Sequence, residues 1–121
     1  KWVEDDAFRF LRGLRKGEYD LIILDPPGLV KGGAAVEAGM RALGELHRQV
    51  FRVLPEGGIL ATFSCSHRVG RRELLEVVKT AAHEAGKGVV RRQILGQAGD
   101  HPVDVLFPES EYLTGFLLEV A

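Results

Sequence analysis

The sequence predicts an α/β fold built on a mostly parallel sheet. Three observations carry that prediction. Short apolar runs alternate with segments whose apolar residues recur every three or four positions, the pattern of strands alternating with helices. Glycine and proline punctuate the junctions. The 121 residues, 45% hydrophobic and 27% charged, suffice for a core without disulfides or a structural metal, so residues 1–121 read as one domain.

The elements are justified in chain order. Residues 5–15 carry Phe8, Leu11 and Leu14 at helical spacing, with Asp5 or Asp6 as N-cap and Gly17 as the stop. Residues 19–24 (YDLIIL), between Gly17 and Pro26, read as a buried parallel strand. Residues 28–35, with three glycines and a lysine, read as a loop. Val36, Met40, Leu43, His47, Val50 and Leu54 form a helical stripe that ends at Pro55 and Gly57-Gly58. Residues 58–63 (GILATF) give a second buried strand. Residues 71–85 place Leu74, Leu75, Val78, Ala81, Ala82 and Ala85 on one helical face, stopped by Gly86. Residues 89–95 and 112–120 are strands joined by a polar loop, which makes an antiparallel pair at one edge of the sheet.

Composition excludes several classes. No window approaches about 18 consecutive apolar residues, so no membrane span is expected. The opening KWVEDDAFRF is acidic and lacks the pattern of a secretory signal. One cysteine makes neither an internal disulfide nor a Cys-rich zinc cage, and a cytoplasmic location is expected. The only methionine is Met40, so the chain opens at Lys1 without an initiator, as a processed or partial protein would. Net charge is −1, which argues against a generic polycation. The charge is uneven, however. Residues 66–93 hold seven Lys/Arg and three acids, whereas residues 94–121 hold five acids and no Lys or Arg. This reads either as a solvated helix face before an acidic tail or as a phosphate-binding patch beside a site.

In parallel sheets, ligands bind at the carboxyl ends of the strands. The two segments found there are the most informative in the chain. Asp25-Pro26-Pro27-Gly28 fixes an acid and removes two N–H donors, leaving carbonyls to accept from a ligand amine. As a bare tetrapeptide it is equally a turn. Ser64-Cys65-Ser66-His67 sets a thiol between two hydroxyls, near His67 and Arg68. That suits a nucleophile with a lowered thiol pKa, or a small buried hydrophobe. Asp100-His101-Pro102 offers a histidine for proton transfer oriented by an acid, or a simple turn. His47 lies on an apolar stripe and is expected to be packed. No spacing suggests a metal site, and the glycine pairs match no phosphate-binding fingerprint.

Taken together, YDLIILDPPGLVKG, LPEGGILATFSCSH and QAGDHPVDVLFPESEYLTGFLLEV resemble the C-terminal part of the class I S-adenosylmethionine-dependent RNA methyltransferases. Within these they are similar to the family that makes 5-methylcytosine in 23S ribosomal RNA. The resemblance implies a Rossmann-like fold, S-adenosylmethionine as cofactor and large-subunit rRNA as partner. Asp6 and Ala7 match the segment that holds the adenine. Asp25 and Pro26 match the motif that contacts the target base and borders the methyl donor. Cys65 matches the nucleophile of the cytosine-5 enzymes. Arg68, Arg71 and Arg72 are then candidates for RNA phosphates, and His67 and His101 for proton transfer, by proximity alone. A related guanine-N7 family shares DPP but lacks the cysteine.

Some positions depart from the pattern. Gly28-Leu29 stand where Lys-Phe is usual, Leu43 and His47 where Tyr and Asn are frequent, and His67 where Gly is common. The family's glycine-rich loop and ribose-binding acid lie upstream of Lys1. The expectation is therefore the C-terminal part of a catalytic domain, with the N-terminal cofactor-binding half absent and the piece inactive alone. Two rival readings remain: a methyltransferase for another acceptor (guanine or an exocyclic amine) with a structural Cys65, and a non-catalytic module that self-associates as a homodimer through exposed sheet edges.

Overall fold

The computed structural model describes residues 1–29 and 32–121. Val30 and Lys31, part of the expected loop, lie outside the described residues. Three helices and four strands occur in the expected order: α1 (Ala7–Gly13), β1 (Leu21–Leu24), α2 (Val36–Val53), β2 (Ile59–Ser64), α3 (Arg71–Glu84), β3 (Val89–Gly96) and β4 (Thr114–Val120). Short 3₁₀ turns occupy Gly33–Ala35 and Pro108–Ser110.

The sheet order is β1-β2-β4-β3. β1 and β2 are parallel, and β4 runs antiparallel to both β2 and β3. One of these three pairings is parallel and two are antiparallel, a mixed sheet in place of the expected mostly parallel one, with β3 and β4 as the expected antiparallel pair at one edge. The reversed strand reaches an inner position because β3 turns straight back into it without a helix.

α1 is shorter than its apolar spacing suggests. Asp6 accepts from the Arg9 amide at 3.0 Å and starts the helix, and the backbone turns extended at Leu14. The Arg52 guanidinium then donates to the Leu11 carbonyl at 2.9 Å, tying α1 to the end of α2. α2 buries more than its predicted stripe: Leu46, Phe51 and Val53 join Leu43, His47 and Val50. The extra width is needed because α2 meets both the sheet and α3. Phe51, Phe116, Leu54, Leu60, Leu74 and Leu118 form the centre of the core, each under 2% exposed. β1 leaves Leu21 and Ile23 on the uncovered face, 55% and 66% exposed. No helix among the described residues is long and apolar enough to cross a membrane.

Two local constraints set the register. Gly57 has φ +80°, a left-handed conformation that favours glycine, and its amide donates to the Val120 carbonyl at 2.8 Å. Gly115 sits opposite Phe63, and a Cβ there would lie 2.5 Å from the Thr62 carbonyl oxygen and 2.6 Å from the Phe63 ring. Backbone and ring cannot both yield, so Gly115→Ala should lower unfolding free energy by roughly 1–3 kcal/mol in urea denaturation, the usual range for overpacking.

His47 is fully buried, as expected for a packed residue. Its Nδ1 lies 2.8 Å from the Leu43 carbonyl and its Nε2 2.7 Å from the Thr62 hydroxyl. The carbonyl can only accept, so Nδ1 carries the proton and Nε2 accepts from Thr62. Burial holds the ring pKa below its ordinary 6.5. The unfolded chain then binds a proton near pH 6.5 that the native ring refuses, so stability falls as pH drops from there toward the lower native pKa. Urea midpoints should accordingly be lower at about pH 5.5 than at about pH 7.5. Equal midpoints would contradict a neutral buried ring.

Candidate active site

The ladder aligns Leu24 with Thr62, so the segments after β1 and β2 leave the sheet side by side. Asp25 is exposed directly after β1, and Cys65 is exposed directly after β2. Pro26, Pro27, Gly28 and Leu29 form one wall of a narrow cleft, and Cys65 and Ser66 part of the other. At about 10 Å³ the cleft holds no more than a water-sized group, and Cys65 is open on its solvent side.

The serines beside Cys65 have a structural use. Ser64 donates its hydroxyl to the Val69 carbonyl at 2.8 Å, while the Arg68 amide donates to the Ser66 hydroxyl at 3.2 Å. Val69 is buried and pins the far end of this turn in the core. The hydroxyls expected to lower the thiol pKa therefore shape the turn that presents it.

The arginines fan out around this turn. The Arg68 guanidinium lies over Gly32, where a Cβ would come within 3.0 Å of it. Arg71 faces Glu111 at 3.7 Å, and Arg72 faces Glu73 at 3.9 Å. Such exposed pairs contribute little, and an anion can replace the carboxylate. Asp6 spends one carboxylate oxygen on the α1 cap, and neither Asp6 nor Ala7 lines the Cys65 cleft. Asp100 stands 3.9 Å from His101, beyond hydrogen-bond range, and both are exposed. His101 instead makes an edge contact with Tyr112, ring centres 6.0 Å apart, so the expected Asp-oriented histidine is not formed. His67 is exposed and faces a second pocket behind the turn. No three His, Cys, Asp or Glu among the described residues gather as metal ligands.

Gln97 is a residue that no sequence signal marked. Its amide nitrogen donates to the carbonyls of His101 and Ser110 at 2.7 and 2.9 Å, and its oxygen accepts from the Tyr112 amide at 3.0 Å. Asp104 adds bonds to Leu106 and to Ser110, which closes the loop on itself. The β3–β4 loop is therefore held in shape beside the turn after β2. A polar residue at a strand end is too common a feature for sequence to assign it this role.

Comparison with known proteins bears on this geometry. No family model matches the chain. It is 37% identical, over 122 aligned residues and 99% of its length, to Ribosomal RNA large subunit methyltransferase I of Escherichia coli, and equally to that of Shigella boydii. The chain spans 31% of the length of those relatives. Among solved structures it is similar to a SAM-dependent methyltransferase of Streptococcus mutans, with TM-score 0.74 and 20% identity over 96% of this chain and 30% of that one. A methyltransferase complexed with SAH gives TM-score 0.73 and 23% identity over 98% and 30%. At these identities the likeness establishes the fold: the mixed sheet and its helices correspond to part of a SAM-dependent methyltransferase structure.

The Gln97 network makes a direct prediction. In Gln97→Leu the Tyr112 amide should exchange with deuterium about tenfold faster or more, since one to two lost hydrogen bonds suffice for that factor. Amides in the middle of β4 should keep their protection.

Proposed function

We propose that the chain is the catalytic edge of an S-adenosylmethionine-dependent methyltransferase for large-subunit rRNA, acting at carbon 5 of a cytosine through Cys65. The observation that carries this reading is the cleft shared by Cys65 and the Pro26–Leu29 segment, which directly follows Asp25, at two parallel strand ends. The 37% identity to the rRNA enzymes over nearly the whole chain supports the substrate class. In this reading residues 1–121 form the C-terminal part of the catalytic domain.

The residues present fit one border of the cofactor. Asp6 uses one oxygen for its cap and has a second that suits the adenine amine as acceptor. The paired prolines present carbonyls with no N–H of their own. S-adenosylmethionine, when bound, supplies an electrophilic methyl group.

The protein's own side chains account for the other steps. The Cys65 thiolate adds to carbon 6 of the cytosine, and the 5,6 double-bond electrons make carbon 5 nucleophilic. Carbon 5 would take the methyl group as the methyl–sulfur bond of the donor breaks, the electron pair leaving with that sulfur. A base then removes the proton from carbon 5, the 5,6 double bond re-forms, and the sulfur–carbon bond breaks to return the thiolate. Asp25, set at the N3 and amino edge of the base, stabilises the adduct. The exposed thiol requires an unpaired or flipped base. His67, on the turn itself, is better sited for the proton than His101, which packs on Tyr112. Arg68, Arg71 and Arg72 would hold the flanking phosphates.

RNA carrying 5-fluorocytosine tests the mechanism, because fluorine at carbon 5 blocks the final elimination. The intact protein should form a covalent complex at Cys65, and Cys65→Ala should form none. Asp25→Asn should slow methylation by roughly a hundredfold to ten-thousandfold, the range for a positioned acid. Full methylation activity in Cys65→Ala would overturn the adduct and favour another acceptor.

A further inference from the structure

Behind the Ser64–Val69 turn lies a second pocket, of about 270 Å³, separate from the Cys65 cleft and walled in part by His67 and Arg71. Three features of it point to a ligand. Thr114 lines it at 8% exposure, and its hydroxyl oxygen is buried with no hydrogen-bond partner among the described residues. Buried hydroxyls are paired as a rule, so an unpaired one in a pocket wall marks a position for a ligand atom. The pocket also carries both signs of charge. Glu109 and Glu111 bring acceptors, while Arg71 opens α3 behind Gly70, which supplies no side-chain cap. Arg71 and Glu111 stand 3.7 Å apart, longer than a good charge-assisted hydrogen bond, so both retain bonding capacity. Finally, Tyr112 presents an aromatic wall, braced edge-on by His101.

We infer that this pocket binds one nucleotide of the RNA, a neighbour of the methylated one, whose base carries an exocyclic amine. A nucleotide matches the charge pattern in both directions. Its amine donates to the glutamates, its ring stacks on Tyr112, and its phosphate meets Arg71 and the unpaired amides of the first α3 turn. The Thr114 hydroxyl completes the base edge. Uracil, which has a carbonyl where cytosine has the amine, would set an acceptor against the carboxylates and is excluded. Assigning the nucleotide to RNA rests on the rRNA methyltransferase reading, whereas binding itself does not.

Amide NMR titration of the chain with CMP, GMP, AMP and UMP tests this. CMP should shift Arg71, Tyr112 and Thr114, and UMP should bind those residues at least about fivefold more weakly, one hydrogen bond's difference. Thr114→Val should weaken CMP binding by about fivefold without lowering the thermal midpoint, because the hydroxyl it removes is unpaired in the free protein. No shift at these residues, equal shifts with UMP, or parental CMP affinity in Thr114→Val overturns the subsite. Cys65 trapping of fluorocytosine RNA without nucleotide binding here removes the subsite alone. Nucleotide binding here without trapping leaves the subsite standing and removes the cytosine mechanism.

Discussion

The parallel ladder from Leu21↔Ile59 to Leu24↔Thr62 holds two strand ends level, and the placement of both strand-end segments depends on it. Side chains alternate along a strand, so a slip of one residue would turn Thr62 away from α2 and send Leu60 out of the core. The buried His47–Thr62 hydrogen bond resists that slip, since it exists in one register only. With the register fixed, Asp25-Pro26 and Cys65 emerge as neighbours. The catalytic reading of either segment relies on that adjacency.

The same logic governs the other half of the sheet. β4 runs between β2 and β3, and Gly115 lets it approach Phe63 where any side chain would collide. The close approach carries Thr114 to the base of the turn after β2. Gln97 then fixes the loop that returns from β3, so Glu111 and Tyr112 face Arg71 across the second pocket. The acidic stretch near the C-terminus and the basic stretch before it, separate in sequence, meet there. Arg71 from the basic stretch and Glu109 and Glu111 from the acidic one line one concavity, so a chain of net charge −1 still offers a phosphate a positive contact.

Much of the fold was legible because periodicity is a local signal. The stripe from Val36 to Leu54 and the run at Leu21–Leu24 each report their own environment, and the structure places helix and strand where they fall. Pairing at a distance could not be read in this way. Asp100 and His101 looked like a dyad because they are adjacent, yet neighbouring residues rarely point at each other, and Tyr112 holds the ring instead. The serines around Cys65 also support the turn that presents it, through partners up to five residues away.

Local pattern was enough to specify the element order, much of the core faces, and the two strand-end segments on which the proposed chemistry rests. Those features come from spacing, from glycine and proline, and from a motif order shared with the rRNA methyltransferases. Long-range packing was needed to show that β4 lies inside the sheet between β2 and β3, that His47 is a neutral buried strut, and that Gln97 holds the loop that brings Tyr112 to the pocket lined by Thr114. Hydrogen-bond partners and pocket walls are set by contacts between residues well separated in the chain, 15 positions for His47 and Thr62 and 13 for Gln97 and Ser110. No local pattern encodes which distant group will arrive.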